Sequence, residues 1–221
     1  MSAMSTIATL QLYGYFNSST SYRVRIALAL KGLAYDTVAV DLRAQQQRSA
    51  DYVALNPGAC VPTLRADGID LGQSLAIIDY LDTLQPQPRL IPLEQPLRAQ
   101  VLELAHTIAC DVHPLDNMRV LRYLKDRLDV DDDARRAWYA HWVAEGLGVV
   151  ERLLERADAG PCCFGAQPTL ADCCLVPQVA NALRMQCPLD AFPRVRAVYA
   201  HCAALPAFAA AAPARQPDYR G

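Results

Sequence analysis

The sequence has no block of basic residues: its 21 Lys and Arg are scattered among 23 Asp and Glu, leaving a formal net charge of −2. That removes the electrostatic footprint that nucleic acid or an anionic membrane surface would require. No run approaches the ~20 apolar residues of a membrane span, and the opening MSAMSTIATLQLY has no basic segment followed by a long apolar one. A cytoplasmic protein with a small-molecule partner is the expectation. The eight cysteines stand as Cys60, Cys110, the doublets Cys162-Cys163 and Cys173-Cys174, Cys187 and Cys202. Without a secretion signal they read as free thiols rather than a disulfide framework. No C-x-x-C with partner histidines is present, so no metal site is expected.

What is present is enough to build a sizeable core, with 221 residues of which 52% are apolar. Over the first ninety or so positions, short β-rich runs alternate with helical patterns. Thr9 to Tyr15 is strand-like, Ser21 to Lys31 helical and stopped by Gly32, and Thr37 to Leu42 strand-like again. A short helix follows around Tyr52 to Leu55. Two brief runs, Thr63 to Arg65 and Ile69 to Leu71, are then joined by Asp67-Gly68, a hairpin signal. A helix over Ser74 to Leu84 completes the order βαβαββα. With Val61-Pro62 directly before the third strand, this is the arrangement of a thioredoxin-like domain.

The stretch QPQPRLIPLEQP cannot continue a helix and reads as a linker. Beyond it the β signals vanish. Leu97 to Leu128, Asp131 to Arg156, Leu170 to Arg184 and Arg194 to Leu205 all carry helical spacing, and Thr169 with Asp172 forms a capping-box pair. His113-Pro114 predicts a kink or split in the first of these helices. The fold class is therefore α+β: a thioredoxin-like domain over residues 8–85, a linker at 86–96, and an all-helical domain over 97–221.

Chemistry concentrates between the first strand and first helix, where Asn17-Ser18-Ser19-Thr20-Ser21 places hydroxyls and N–H groups at the positive end of a helix dipole. Such a place can hold an anion, and a hydroxyl donor there would stabilise a thiolate brought by a small cofactor; ordinary helix capping gives the same pattern. Val61-Pro62 and Gln73-Ser74 occupy loops that neighbour the first one in such a fold. A backbone pair from Val61 can bond an extended peptide, and Ser74 at a helix N-terminus can hold a carboxylate.

The segment SSTSYRVRIALALKG resembles the signature of zeta-class glutathione transferases, with Thr20 at the usual cysteine position and Asn17 where relatives often carry arginine. The likeness continues through ALNPGACVPTL, QSLAIIDYL, TLADCCLVPQVANALR and the terminal RQPD, and extends to the maleylacetoacetate and bacterial maleylpyruvate isomerases. The resemblance implies glutathione as cofactor, with Ser18, Ser19 and Thr20 about its sulfur. It implies that Gln47, Val61, Gln73 and Ser74 hold its peptide, with further contacts from His113 and Asn117. Arg119 and Arg184 are the implied binders of the carboxylates of a keto-acid substrate, a task that suits the guanidinium fork. Arg23 and Arg25 are expected to be structural, pairing with acidic groups or covering the domain interface. The implied activity is glutathione-dependent cis–trans isomerisation of a maleyl keto acid, with Pro62 cis and a symmetric homodimer as the assembly. General transferase or haloacid-dehalogenating activity, and a non-catalytic glutathione-binding protein, stand as alternatives.

Overall fold

The computed structural model describes residues 9–220; the expected outer domain limits at 8 and 221 lie outside that range. The chain forms two compact units, one made of the chain up to Pro88 together with the tail from Pro206, the other of Arg89–Leu205.

In the first unit the elements run β1 (Leu10–Gly14), α1 (Ser19–Leu30), β2 (Tyr35–Ala39), α2 (Ala50–Leu55), β3 (Thr63–Ala66), β4 (Ile69–Leu71) and α3 (Ser74–Leu84). The sheet order is β2-β1-β3-β4. β1 pairs parallel with β2 and antiparallel with β3, and β3 pairs antiparallel with β4. Alternation in β1 buries Leu10, Leu12 and Gly14 on one face. They share a core class with Val24, Ile26 and Leu28 of α1, Leu64 of β3, and Ile77, Ile78 and Leu81 of α3, none more than 1% exposed. The β3–β4 turn has positive φ at both Asp67 and Gly68, as the Asp-Gly pair predicts. The Val61-Pro62 bond is cis. Lys31 closes the unit from beneath: its Nζ lies 2.6 Å from the Asp82 carboxylate and donates to the carbonyls of Gln85 and Pro88.

The tail differs from its expected place in the helical half. Its helix α10 (Pro206–Ala211) packs on α1, where the Tyr22 hydroxyl donates to Phe208 O and Arg25 Nε donates to Ala211 O. Phe208 is fully buried. The cut between units, after Pro88, falls inside the predicted linker. Arg25 is structural: it donates to the carbonyls of Tyr15, Phe16 and Ala211, and burial, partly opposed by the Asp218 charge, brings its pKa down to about 10.

The second unit is helical: α4 (Leu97–His106), a π-helical turn (Thr107–Val112), α5 (His113–Asp116), α6 (Met118–Leu128), α7 (Asp132–Arg156), α8 (Leu170–Arg184) and α9 (Pro193–Ala204). The predicted interruption of the first long helix is present at His113-Pro114, where the π-helical turn ends at Val112 and α5 begins. A second break follows at Asn117, whose extended backbone and side chain cap α6. Gly146 lets α7 approach the π-helical turn, since a Cβ there would overlap Val112 Cγ2. The capping box at Thr169 and Asp172 starts α8 as the sequence indicates.

Candidate active site

In the first unit the loop Tyr15–Ser18 between β1 and α1 is held by backbone capture. Arg25 binds the Tyr15 and Phe16 carbonyls, the Asp218 carboxylate accepts from the Phe16 N–H at 2.9 Å, and Tyr219 meets the Phe16 ring edge-on. Asp218 lies in the terminal RQPD; nothing in its local spacing indicates a role 202 residues away.

At the end of that loop Ser18 caps α1, its Oγ accepting from the Ser21 N–H at 3.2 Å. Thr20 Oγ1 donates to Val61 O at 2.9 Å, and Ser18 Oγ lies 2.9 Å from Thr20 Oγ1. Each hydroxyl has one proton to give. Thr20 spends its own on Val61, so Ser18 must donate to Thr20. The chain of donors is therefore Ser21 N–H to Ser18 to Thr20 to the carbonyl beside the cis peptide. A rotation about one bond turns the Ser18 proton from Thr20 to an incoming anion without disturbing the cap. Ser19 is 4% exposed while Ser18 and Thr20 are half-buried, so of the three predicted residues the hydroxyls of Ser18 and Thr20 are the accessible ones.

The Cys60-Val61-Pro62 segment is braced from behind. Both the Tyr52 hydroxyl and the Asn56 amide donate to Cys60 O and bond Thr63, and burial raises the Tyr52 pKa to about 12, keeping it a neutral donor. Gln47 is 8% exposed in a short 3-10 turn (Gln46–Arg48), and its Oε1 is buried without a hydrogen-bond partner. A buried acceptor left open costs free energy that a ligand N–H would recover.

Gln73 has φ +64 and offers no side-chain cap to α3, so the first-turn N–H groups of that helix are left for another acceptor. Ser74, 4% exposed, accepts from Arg23 Nη1 at 3.4 Å, while Arg23 Nε and Nη2 are buried without partners. An uncapped helix start, a non-glycine residue in the left-handed region and a buried guanidinium behind it make a place that could hold an anion. Arg23, set aside at the sequence level, underlies that site from within the first unit. Its signal was the RVR spacing, which alone cannot tell a buried arginine from an exposed one.

In the second unit His113 and Asn117 meet, with Asn117 Nδ2 3.3 Å from His113 Nε2. Asn117 is the C-cap of α5, four residues beyond His113, and the N-cap of α6. Arg119 is exposed in the first turn of α6, its N–H capped by Asn117 Oδ1. Arg184, exposed at the end of α8, uses one donor on Asn181 Oδ1 at 3.2 Å, with Met185 Sδ 3.9 Å away. Most of its five N–H donors stay available.

All eight cysteines are free thiols. Cys162, Asp172 and Cys202 place three ligand-type atoms within 4.8 Å of one another in the interior of the second unit. Asp172 is already committed: Oδ2 accepts from the Thr169 N–H and hydroxyl, and Oδ1 from the Cys163 N–H. Burial, with the Asp172 charge second, lifts the Cys162 thiol to about 11 and the Cys202 thiol further. Asp172 serves there in the capping box that starts α8.

A thioredoxin-like sheet, a hydroxyl at the first helix N-terminus, a cis X-Pro step and a candidate anion site at α3 together define a protein of the glutathione transferase type. Residues 17–84 match the glutathione S-transferase N-terminal domain family. The chain is 47% identical to the maleylacetoacetate isomerase of Pseudomonas aeruginosa, over 95% of this chain and 98% of that one. A holo structure of maleyl pyruvate isomerase, a bacterial zeta-class transferase, superposes with TM-score 0.92 at 43% identity, covering 95% of this chain and all of the other. A maleylacetoacetate isomerase from Anaeromyxobacter dehalogenans with glutathione in its active site matches with TM-score 0.85 and 43% identity, over 96% and 98% of the two chains. The chain belongs to the zeta-class glutathione transferases, in the group of maleylacetoacetate and maleylpyruvate isomerases.

Proposed function

We propose that this protein is a cytoplasmic, glutathione-dependent isomerase that converts maleylacetoacetate, or a closely related maleyl keto acid such as maleylpyruvate, from cis to trans. The observation that carries the reading is the donor chain from Ser18 through Thr20 to Val61 O, joined to the open acceptor on Gln47 and the uncapped, arginine-backed start of α3. These features fit glutathione, a peptide with N–H donors, carboxylates and one thiol. No helix among the described residues is long and apolar enough to cross a membrane, which agrees with an aqueous location.

Glutathione when bound supplies a sulfur nucleophile whose reversible addition beside the carbonyl lets a cis double bond turn. Everything else falls to the chain. Ser18 would donate a hydrogen bond to the sulfur and, with the N-terminus of α1, would hold the thiol pKa below its ordinary value of about 8.5. Ser19 and Thr20 complete that turn, Thr20 as the acceptor that the Ser18 O–H leaves when it turns to the sulfur. Gln47 accepts a peptide N–H. Val61 bonds the peptide backbone through the lone pair that Thr20 leaves free, while Gln73 and Ser74 present the α3 N-terminus to a carboxylate with Arg23 behind them. His113 and Asn117 contribute further contacts. Arg184 and Arg119 orient the substrate carboxylates, so that little entropy remains to be lost at the reacting carbons. A symmetric homodimer is the proposed assembly.

The test is the rate of isomerisation of maleylacetoacetate and of maleylpyruvate, with and without glutathione, in this protein and in Arg184→Ala. A charge-assisted hydrogen bond contributes about 1.5–3 kcal/mol, so losing Arg184 should raise KM for the keto acid about tenfold or more while KM for glutathione is unchanged. An unchanged keto-acid KM would remove Arg184 from the substrate site, and no turnover of either acid would defeat the isomerase reading.

A further inference from the structure

Behind His113 lies a buried polar network in the second unit whose other members, Asp116 and Gln178, have no part in the assignments above. Asp116, 5% exposed at the end of α5, accepts from Gln178 Nε2 at 2.6 Å; Gln178 is fully buried in α8. Asp116 Oδ1 faces His113 Nδ1 at 3.5 Å, an electrostatic contact without hydrogen-bond geometry. The Tyr139 hydroxyl, 3% exposed in total side chain and backbone, sits close enough that the Asp116 charge, second to burial, opposes its ionisation.

The protonation of His113 follows from two independent ends of this chain. At one end, Asn117 Oδ1 is occupied as the α6 cap by the Arg119 N–H at 3.0 Å, which fixes which side of the amide is which. The Nδ2 group, a donor only, therefore faces His113 Nε2, and that nitrogen must offer a lone pair. At the other end Nδ1 faces a carboxylate whose second oxygen is held by Gln178. A lone pair there would meet a buried negative charge, so Nδ1 carries the proton. Both ends give the same tautomer.

We propose that Asp116 is a positioning residue that, through the chain Gln178, Asp116, His113, Asn117, holds His113 as the neutral Nδ1–H tautomer with Nε2 as a hydrogen-bond acceptor. This rests on the reading that His113 takes part in ligand binding. It divides the labour among the cationic and polar groups of the second unit: Arg119 and Arg184 answer carboxylates, whereas His113 accepts an N–H of glutathione that displaces the Asn117 amide.

The test is the ring ¹⁵N spectrum of His113 at neutral pH in the whole protein, assigned against His113→Gln. Nδ1 is expected to show the shift of a protonated nitrogen and Nε2 that of a bare one, with Nε2 moving when glutathione is added. A protonated Nε2, or a doubly protonated ring, would overturn the proposal without any variant being needed. In Asp116→Asn the negative charge that faces Nδ1 is gone, so the tautomer should shift toward Nε2–H and glutathione affinity, measured by calorimetry, should fall about tenfold. The same substitution in a His113→Gln background should change affinity less than about twofold; an equal loss in both backgrounds would reduce Asp116 to a structural residue. Failure of glutathione to bind the unaltered protein would defeat the functional reading and leave the tautomer to be decided by the spectrum alone.

Discussion

Replacing Ser18 separates capping from the proposed chemistry, because both are assigned to its hydroxyl. Ser18→Ala removes the acceptor for the Ser21 N–H and the donor that Thr20 now takes. Loss of an N-cap to alanine costs about 1 kcal/mol, whereas glycine at the same position costs only a few tenths. For a chain of this size 1 kcal/mol moves Tm by about 2–4 °C, so Ser18→Ala should melt a few degrees early and Ser18→Gly close to the unaltered protein. Both lose the same donor to sulfur. A hydrogen bond to a charged acceptor contributes about 1.5–3 kcal/mol, which at 1.36 kcal/mol per unit raises the bound thiol pKa by about one to two units. The thiolate is the active form, so activity is present above that pKa and lost as pH falls through it; raising the pKa moves the loss to higher pH. In both variants the thiolate absorbance of bound glutathione and the pH–rate profile should therefore shift upward together, with kcat/KM at neutral pH down about tenfold to a hundredfold. A Ser18→Gly protein with full activity and an unmoved profile, or activity that follows Tm across the two variants, would refute the assignment.

Two further substitutions probe the scaffold. Gly146→Ala should gain nearly 1 kcal/mol of helix propensity but lose about 1–3 kcal/mol to overlap with Val112, giving a lower denaturation midpoint; a stabilised variant would mean that the π-helical turn yields easily. Asp82→Ala leaves Lys31 buried with its two carbonyl partners but no countercharge, and should cost about 3–5 kcal/mol in chemical denaturation, while a loss under 1 kcal/mol would show that water reaches the site.

Much of this fold was legible in the sequence because it is written in local periodicity. The hairpin at Asp67-Gly68, the capping box at Thr169 and Asp172, and the α3 and α8 boundaries each depend on residues within a few positions of one another. The tail was not legible, since PAFAAAAPARQPDYRG has no strong apolar stripe and its place is set by carbonyl capture from Tyr22 and Arg25, 186 residues away in each case. One helix break was visible and one was not: His113-Pro114 marks the end of the π-helical turn, whereas the second break, at Asn117, is made by a quieter capping residue. In the candidate site, residue types and loop positions could be read, while the direction of the Ser18–Thr20–Val61 donor chain and the link from Asp116 to Gln178 depend on contacts 41 and 62 residues apart.

The most direct test of the functional claim is a thiol balance during turnover of maleylacetoacetate by the purified protein. The expected result is many equivalents of trans product per glutathione with the free-thiol titre unchanged at the end. Loss of one thiol per product would identify a transferase instead, and bound glutathione with no product would identify a protein that holds the peptide without using it.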